Sequence, residues 1–365
     1  MKPFSKFILL TSLALMTVVQ YQNADNHSIK NNPKTYSTSF AKGADVGWIT
    51  QMEKEGAKFY NAEGKQMECM ALLKSMGMNA IRLRVWVNPK DGWCGKQDLL
   101  NKALRAKKLG MQIMIDFHYS DWWADPGKQN KPAAWKDYNM QQLKQAVANH
   151  TKDVLLLLKR NNITPKWVQV GNETTNGMLW PDGGVWLWDE NKENKPNHFD
   201  NYTALSNAGY NAVKAVFPKA KVIIHIDNGY NKEQFSRFFR QLKSNGGKWD
   251  VIGMSLYPSY YEGFEQDRKG TCNKFISKCM ENIEYLTKTY STPVMISEIG
   301  MPWDDAVTAN YFLSSIIRKT KEIGITKCLG VFYWEPEGYA KWSKYSLCAF
   351  DNSGKPTAAM DAFKQ

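Results

Sequence analysis

Short apolar runs, rich in β-branched and aromatic residues, alternate along this chain with longer stretches whose apolar positions recur near a 3.6-residue period. The short runs predict strands at Ala41–Val46, Ala80–Val87, Gln112–His118, Trp167–Gly171, Lys221–Asp227, Val251–Tyr257, Pro293–Ser297 and Cys328–Trp334. The periodic stretches predict helices at Leu99–Leu109, Met140–Leu158, Tyr202–Val216, Phe235–Leu242, Phe275–Leu286 and Ala309–Ile323. Gly110 and Gly324 follow two of these stretches and mark helix ends. Strands alternating with helices imply an α/β protein with a parallel sheet, and eight of them fit a (β/α)8 TIM barrel. The alternative is a doubly wound open sheet. It normally carries a glycine-rich phosphate turn after its first strand, and Gly43-Ala-Asp-Val-Gly47 lacks that form. No Pro/Gly/Ser-rich linker and no internal repeat divides the chain, so residues 40–365 are read as a single catalytic domain.

Polar residues collect where the strands stop. They include Asp45, the pair Arg82 and Arg84, the run Asp116-Phe-His118-Tyr-Ser-Asp121, Asn172-Glu173, His225 and Asp227, Tyr257, Glu298, and Trp334-Glu335. In a parallel barrel the C-terminal strand ends form one rim, so these groups are expected to converge there. Two predicted connections are long, 120–136 and 174–197, as suits the walls of a cleft. Tryptophans follow several strands, among them Trp122, Trp123, Trp180, Trp186 and Trp334. Flat aromatic faces at strand mouths suit the apolar faces of sugar rings.

Composition changes this picture little. The net charge of +13 raises the question of an acidic partner, but the lysines are scattered among acids and no nucleic-acid motif occurs. No nucleic-acid partner is expected. Lys2 and Lys6 precede an apolar run, Phe7–Val19, too short to span a bilayer and fitting a signal peptide. Residues 1–22 are read as that signal and 23–39 as an extended or disordered leader, with no transmembrane segment in the mature protein. Export is the expectation, with the product secreted, periplasmic or at the cell surface. No cysteine precedes Cys69, which argues against a lipid anchor. The six cysteines match no metal-ligand spacing; Cys272 and Cys279 are near enough in sequence to close a small disulfide loop.

Strand-end glutamates at Glu173 and Glu298, on different strands, supply the pair of carboxyl groups that acetal hydrolysis requires. One donates a proton to the leaving oxygen, and the other supports the developing oxocarbenium ion. The proton donor needs a raised pKa, and the other group must stay ionised beside hydrogen-bond donors.

The motifs carry a family resemblance. Gly43-Ala-Asp-Val, Arg82-Leu-Arg-Val-Trp86, Asp116-Phe-His-Tyr-Ser-Asp-Trp-Trp-Ala-Asp-Pro-Gly127, Gln169-Val-Gly-Asn-Glu173, Tyr257-Pro258, Ser297-Glu298 and Gly330-Val-Phe-Tyr-Trp-Glu-Pro336 together resemble glycoside hydrolase family 53 of clan A. Those enzymes are retaining (β/α)8 endo-β-1,4-galactanases. The likeness runs from Phe40 to the C-terminus. It implies Glu173 as acid/base and Glu298 as nucleophile, Asn172 on the sugar 2-hydroxyl, Arg84 and Tyr257 supporting the nucleophile, and Trp334 flooring the subsite. His118, Asp121 and Trp123 would line it, and Asp45 is grouped with the substrate-binding residues. Two positions depart from the family pattern. Trp122 stands where a small polar residue is usual, and Leu256 where an aromatic often precedes Tyr257-Pro258. The expected substrate is β-1,4-galactan, with no cofactor; a structural calcium is possible in the family, but no oxygen-ligand run indicates one. A monomer is expected. The alternatives are another clan A endo-glycanase acting on mannan, glucan or xylan, and a glycan-binding barrel without turnover.

Overall fold

The computed structural model describes residues 39–186 and 197–365. The signal and nearly all of the leader assigned above lie outside the described residues. Eight parallel strands close a barrel: β1 (Ala41–Asp45), β2 (Ala80–Val85), β3 (Gln112–Phe117), β4 (Trp167–Val170), β5 (Lys221–Ile226), β6 (Val251–Leu256), β7 (Val294–Ile299) and β8 (Cys328–Trp334). Each pairs with its sequence neighbours, and β1 closes against β8 through Ala41 to Asp45 opposite Gly330 to Trp334. Helices α3 (Lys96–Lys108), α4 (Met140–Arg160), α5 (Phe199–Val216), α6 (Lys232–Ser244), α7 (Arg268–Tyr290) and α8 (Ala306–Glu322) provide the six predicted helical segments, each starting before its predicted boundary or at it. Polar caps explain three of the five earlier starts. Asn231, Asp267 and Asp305 accept a backbone N–H in the first turns of α6, α7 and α8.

Between β1 and β2 the chain makes two short helices, α1 (Ile49–Lys54) and α2 (Cys69–Ser75), and a two-residue hairpin pairs Phe59-Tyr60 with Gln66-Met67. None of these was predicted, since six or seven residues hold too few turns to establish a period. A last short helix, Ala340–Ser343, follows β8. No helix among the described residues is long and apolar enough to cross a membrane.

The core divides into two parts. Most buried apolar side chains pack between the strands and the helical ring. Inside the barrel, Ala41, Ala80, Met114, Trp167, Ile223, Val251, Met295 and Phe332 form a floor, one residue from each strand. Gly43 belongs to this packing, because a Cβ there would enter the Phe332 ring. Strand side chains alternate between faces, so the residues two positions further along most strands also point inward, and these are polar: Arg82, Asp116, Gln169 and His225. All four are fully buried. An apolar floor thus lies beneath a polar layer that opens at the C-terminal rim.

The six cysteines are free and buried. This corrects the suggested Cys272–Cys279 pairing. Both residues lie on α7, seven positions apart, and the helical rise separates them by about 10 Å. A disulfide needs Cα atoms within about 7 Å.

Candidate active site

The polar layer is organised around Arg82. Its guanidinium lies 2.6 Å from Asp45 Oδ2, 2.9 Å from Asp116 Oδ2 and 2.9 Å from Glu298 Oε1, and it donates to Asn172 Oδ1 at 2.8 Å. One buried cation therefore ties the ends of β1, β2, β3, β4 and β7 together. Burial alone would raise the Asp116 pKa, but Arg82 and His118 bring it below its ordinary value.

Glu298 reaches this layer through an irregularity in β7. Met254 of β6 pairs with Ile296 and Ser255 pairs with Glu298, so Ser297 is an extra residue on β7. Strict alternation from the floor residue Met295 would point Glu298 at the helices. The bulge turns it into the barrel mouth, a common use of bulges beside functional groups. There its Oε2 accepts a hydrogen bond from the Tyr257 hydroxyl at 3.0 Å. Burial raises the Glu298 pKa, while Arg82 and Tyr257 oppose that shift by stabilising the ionised form.

Glu173 follows β4 with a left-handed backbone, φ 43° and ψ 53°. A non-glycine residue there costs free energy and commonly marks a functional site. Its Oε1 accepts from Ser255 Oγ at 2.6 Å. Burial pushes its pKa well above the ordinary value, and the charges of Glu298 and Asp227 push it further. Among the described residues, no cation is a leading influence on it as Arg82 is on Glu298. The two carboxyls share one cleft of about 460 Å³ in different surroundings, so their proton affinities separate: Glu173 holds a proton more readily, and Glu298 gives one up.

Of the ten residues proposed from sequence, six line this cleft: Glu173, Glu298, Asn172, Tyr257, Trp123 and Trp334. Three lie beneath it. Asp45 is fully buried against Arg82. His118 is buried with both ring nitrogens occupied, Nδ1 accepting from the Ala124 N–H at 3.1 Å and Nε2 lying 3.0 Å from Asp116. The Ala124 bond fixes the tautomer with the proton on Nε2, and burial keeps the ring neutral.

Arg84 is the third, and its position corrects the expectation that it supports the nucleophile. Its guanidinium pairs with Glu335 and lies under the Trp123 ring, 4.3 Å from the centroid. Arg82 is the arginine that meets Glu298. Asp121 is displaced from its expected place too. Its carboxylate accepts from the Asn88 N–H at 2.9 Å and the Ala133 N–H at 2.8 Å, which braces two loops instead of lining the cleft.

The cleft contains groups to which the sequence reasoning gave no site role: Ser255, Tyr260 and Tyr345, and Asp227, which was read only as a strand-end polar residue expected on the rim. Parity along β6 from Val251 was available for Ser255; Tyr345 lies beyond the last strand and carried no signal. Glu335, read from the sequence as a strand-end polar residue, was given no role. It accepts from the Gly47 N–H at 2.8 Å and the Trp48 N–H at 3.2 Å, anchoring the turn after β1. Trp48 in turn packs edge-on against Trp334, with centroids 5.0 Å apart, and against Trp123 at 5.9 Å. These contacts hold the two cleft tryptophans in fixed planes. Of the positions that depart from the family pattern, Trp122 is 53% exposed and packs on Trp86, and Leu256 is buried in the core. A larger groove of about 580 Å³ between α7 and α8 contains no strand-end group.

Among the described residues, no cluster of three or more His, Cys, Asp or Glu is arranged to hold a metal ion. The chemistry this geometry can perform is proton transfer from one carboxyl with nucleophilic or electrostatic support from the other, against an aromatic wall suited to a sugar.

Comparison with known proteins shows the family. An arabinogalactan endo-beta-1,4-galactanase of Humicola insolens is 29% identical over 339 residues, covering 88% of this chain and 98% of the relative. A probable arabinogalactan endo-beta-1,4-galactanase A of Neosartorya fischeri is 30% identical over 330 residues, covering 84% of this chain and 87% of the relative. The solved GH53 catalytic domain of Ignisphaera aggregans superposes with a TM-score of 0.77 at 28% identity, covering 90% of this chain and 97% of that one. The family model for glycosyl hydrolase family 53 matches residues 41–363, and the chain belongs to that family of glycoside hydrolases.

Proposed function

We propose that this protein is an exported endo-β-1,4-galactanase that cleaves internal linkages of galactan with retention of configuration, using Glu298 as nucleophile and Glu173 as acid/base. The observation that carries this reading is the asymmetry of the two carboxyls. Glu298 lies between Arg82 and the Tyr257 hydroxyl, which favour its charge, while Glu173 has a single neutral donor and faces other acids. In the first half-reaction Glu298 attacks the anomeric carbon as Glu173 gives its proton to the departing glycosidic oxygen. In the second, Glu173 takes a proton from water, which attacks the glycosyl-enzyme and releases Glu298. Trp334 and Trp123 offer ring faces to the bound sugar, and the Asn172 amide lies beside Glu173 at the same strand end.

The choice of galactan follows from family membership and from the names of the relatives. Export follows from the apolar run Phe7–Val19 behind Lys2 and Lys6. The test of activity and substrate is reducing-sugar release from linear β-1,4-galactan, with mannan, xylan and cellulose alongside and the Glu298→Ala variant as control. Release confined to galactan and lost in the variant is expected. Release from another polymer would overturn the substrate, and release by the variant would overturn the site.

A further inference from the structure

We propose that Ser255 and His225 are positioning residues for Glu173: their hydrogen bonds keep Oε1 an acceptor and so confine the transferable proton to Oε2. This inference deepens the two-glutamate reading above and rests on it.

The direction of the chain is set at its far end. The backbone N–H of Glu173 donates to His225 Nδ1 at 3.4 Å. A backbone N–H can only donate, so Nδ1 presents its lone pair. His225 is fully buried. Burial and then Arg82 hold its pKa well below the ordinary value, so the ring is neutral and its one proton is on Nε2. Asn172 Oδ1, 3.2 Å from Nδ1, would accept a proton placed there, but both of its lone pairs are already engaged by Arg82 and Gln169. Nε2–H therefore donates to Ser255 Oγ at 2.9 Å. The hydroxyl then has one proton to give, and its remaining partner is Glu173 Oε1 at 2.6 Å.

An oxygen that accepts this bond in both protonation states cannot be the one that carries the catalytic proton. When Glu173 takes up a proton, the proton sits on Oε2. Among the described residues, Ser255 is the one side chain that hydrogen-bonds the Glu173 carboxyl. The other groups facing it are Glu298 from β7, Asp227 after β5 and Asp125 after β3, which act through charge. His225 is faced by Arg82 of β2 and by Asp116 and His118 of the β3 end. The arrangement is also tied to the bulge, because Ser255 is the ladder partner of Glu298 where the register shifts. One β6 residue thus braces the acid beside the strand position of the nucleophile.

The test compares pH profiles of kcat and KM for the wild type, Ser255→Ala, Ser255→Thr and Glu173→Ala, on linear β-1,4-galactan. It adds aryl β-galactosides of graded leaving-group pKa, and thermal unfolding to verify folding. Ser255→Ala is expected to lower kcat about tenfold with KM within about twofold. Its loss should be larger on poor leaving groups, because an unheld carboxyl presents its proton on either oxygen. Removing a donor to a carboxylate raises that carboxylate's pKa, so the alkaline limb should move up by about one pH unit. Ser255→Thr keeps the hydroxyl and is expected to restore both. If the alanine variant is unstable, Ser255→Cys fills the same volume with a weak donor and makes the same comparison. An unmoved alkaline limb, or equal losses in the alanine and threonine variants, would overturn the inference and leave the two-glutamate reading intact. Wild-type activity in Glu173→Ala would remove that reading itself. As an independent check, 15N spectra should give His225 as the Nε2–H tautomer; the Nδ1–H tautomer would overturn the chain.

Discussion

Replacing Tyr257 with Phe removes one of the two groups that stabilise the charge of Glu298 and leaves the other, Arg82, in place. The Tyr257 hydroxyl stays protonated, since burial and then the neighbouring Glu298 hold its pKa well above the ordinary value, so it acts as a donor throughout. In the proposed double displacement, the two half-reactions use that donor differently. Glu298 loses charge as it attacks, so the bond weakens along the first step, and losing it does little harm there. Glu298 regains charge as it leaves the sugar, and the second step then lacks the donor. A hydrogen bond to a charged group contributes about 1.5–3 kcal/mol. At 1.36 kcal/mol per tenfold change in rate, deglycosylation should slow by roughly 10- to 100-fold. The glycosyl-enzyme then accumulates, so kcat and KM should fall together, and an aryl galactoside should release a burst of phenol. The acid limb should also move. Tyr257 lowers the Glu298 pKa, so its loss raises that pKa and shifts the limb upward, by about one unit per 1.36 kcal/mol. Stopped-flow release and a pH profile measure both effects. A variant with wild-type kcat, no burst and an unmoved acid limb would refute the assignment of Tyr257 and Glu298 as a functional pair.

Arg82→Met leaves Asp45, Asp116 and Glu298 buried without their shared cation, and a cost of about 3–5 kcal/mol is expected in chemical denaturation; a variant as stable as the wild type would contradict the network. Glu173→Gln tests linkage. The folded-state pKa of Glu173 is raised, so its contribution to stability is lost as pH rises from the ordinary carboxylate range through the shifted value. The neutral variant should therefore gain in Tm over the wild type as pH increases from 5 to 8, and a constant difference would count against the shift. Asp121→Ala removes the acceptor for two backbone N–H groups, so stability should fall by about 1–3 kcal/mol while kcat/KM stays within a few-fold. A large rise in KM without loss of stability would return Asp121 to the substrate.

The barrel was legible because its strands are apolar on both faces near the floor and its longer helices repeat apolar positions over several turns. Glu173 and Glu298 were legible because each ends an apolar run. The inward aim of Glu298 was not. Parity from Met295 points it outward, and the bulge at Ser297 depends on the register between β6 and β7, which only barrel closure sets. The arginines failed for a related reason. Arg82 and Arg84 lie two apart on one strand face, so both point inward, and the stagger between strands decides which one reaches β7. Asp121 misled because a motif position says nothing about competing backbone donors, and the Asn88 and Ala133 N–H groups claim its carboxylate. Cys272 and Cys279 look close in sequence, yet helix geometry holds them apart.

The central claim is that Glu298 forms a covalent bond to the sugar while Glu173 manages the proton. The most direct measurement is to trap that intermediate with a 2-deoxy-2-fluoro β-galactoside bearing an activated leaving group, and to locate the label by peptide mass spectrometry. One sugar per chain on the peptide containing Glu298, with proton NMR showing β-configured product first, is the predicted result. A label on Glu173, or no label with α-configured product, would contradict it.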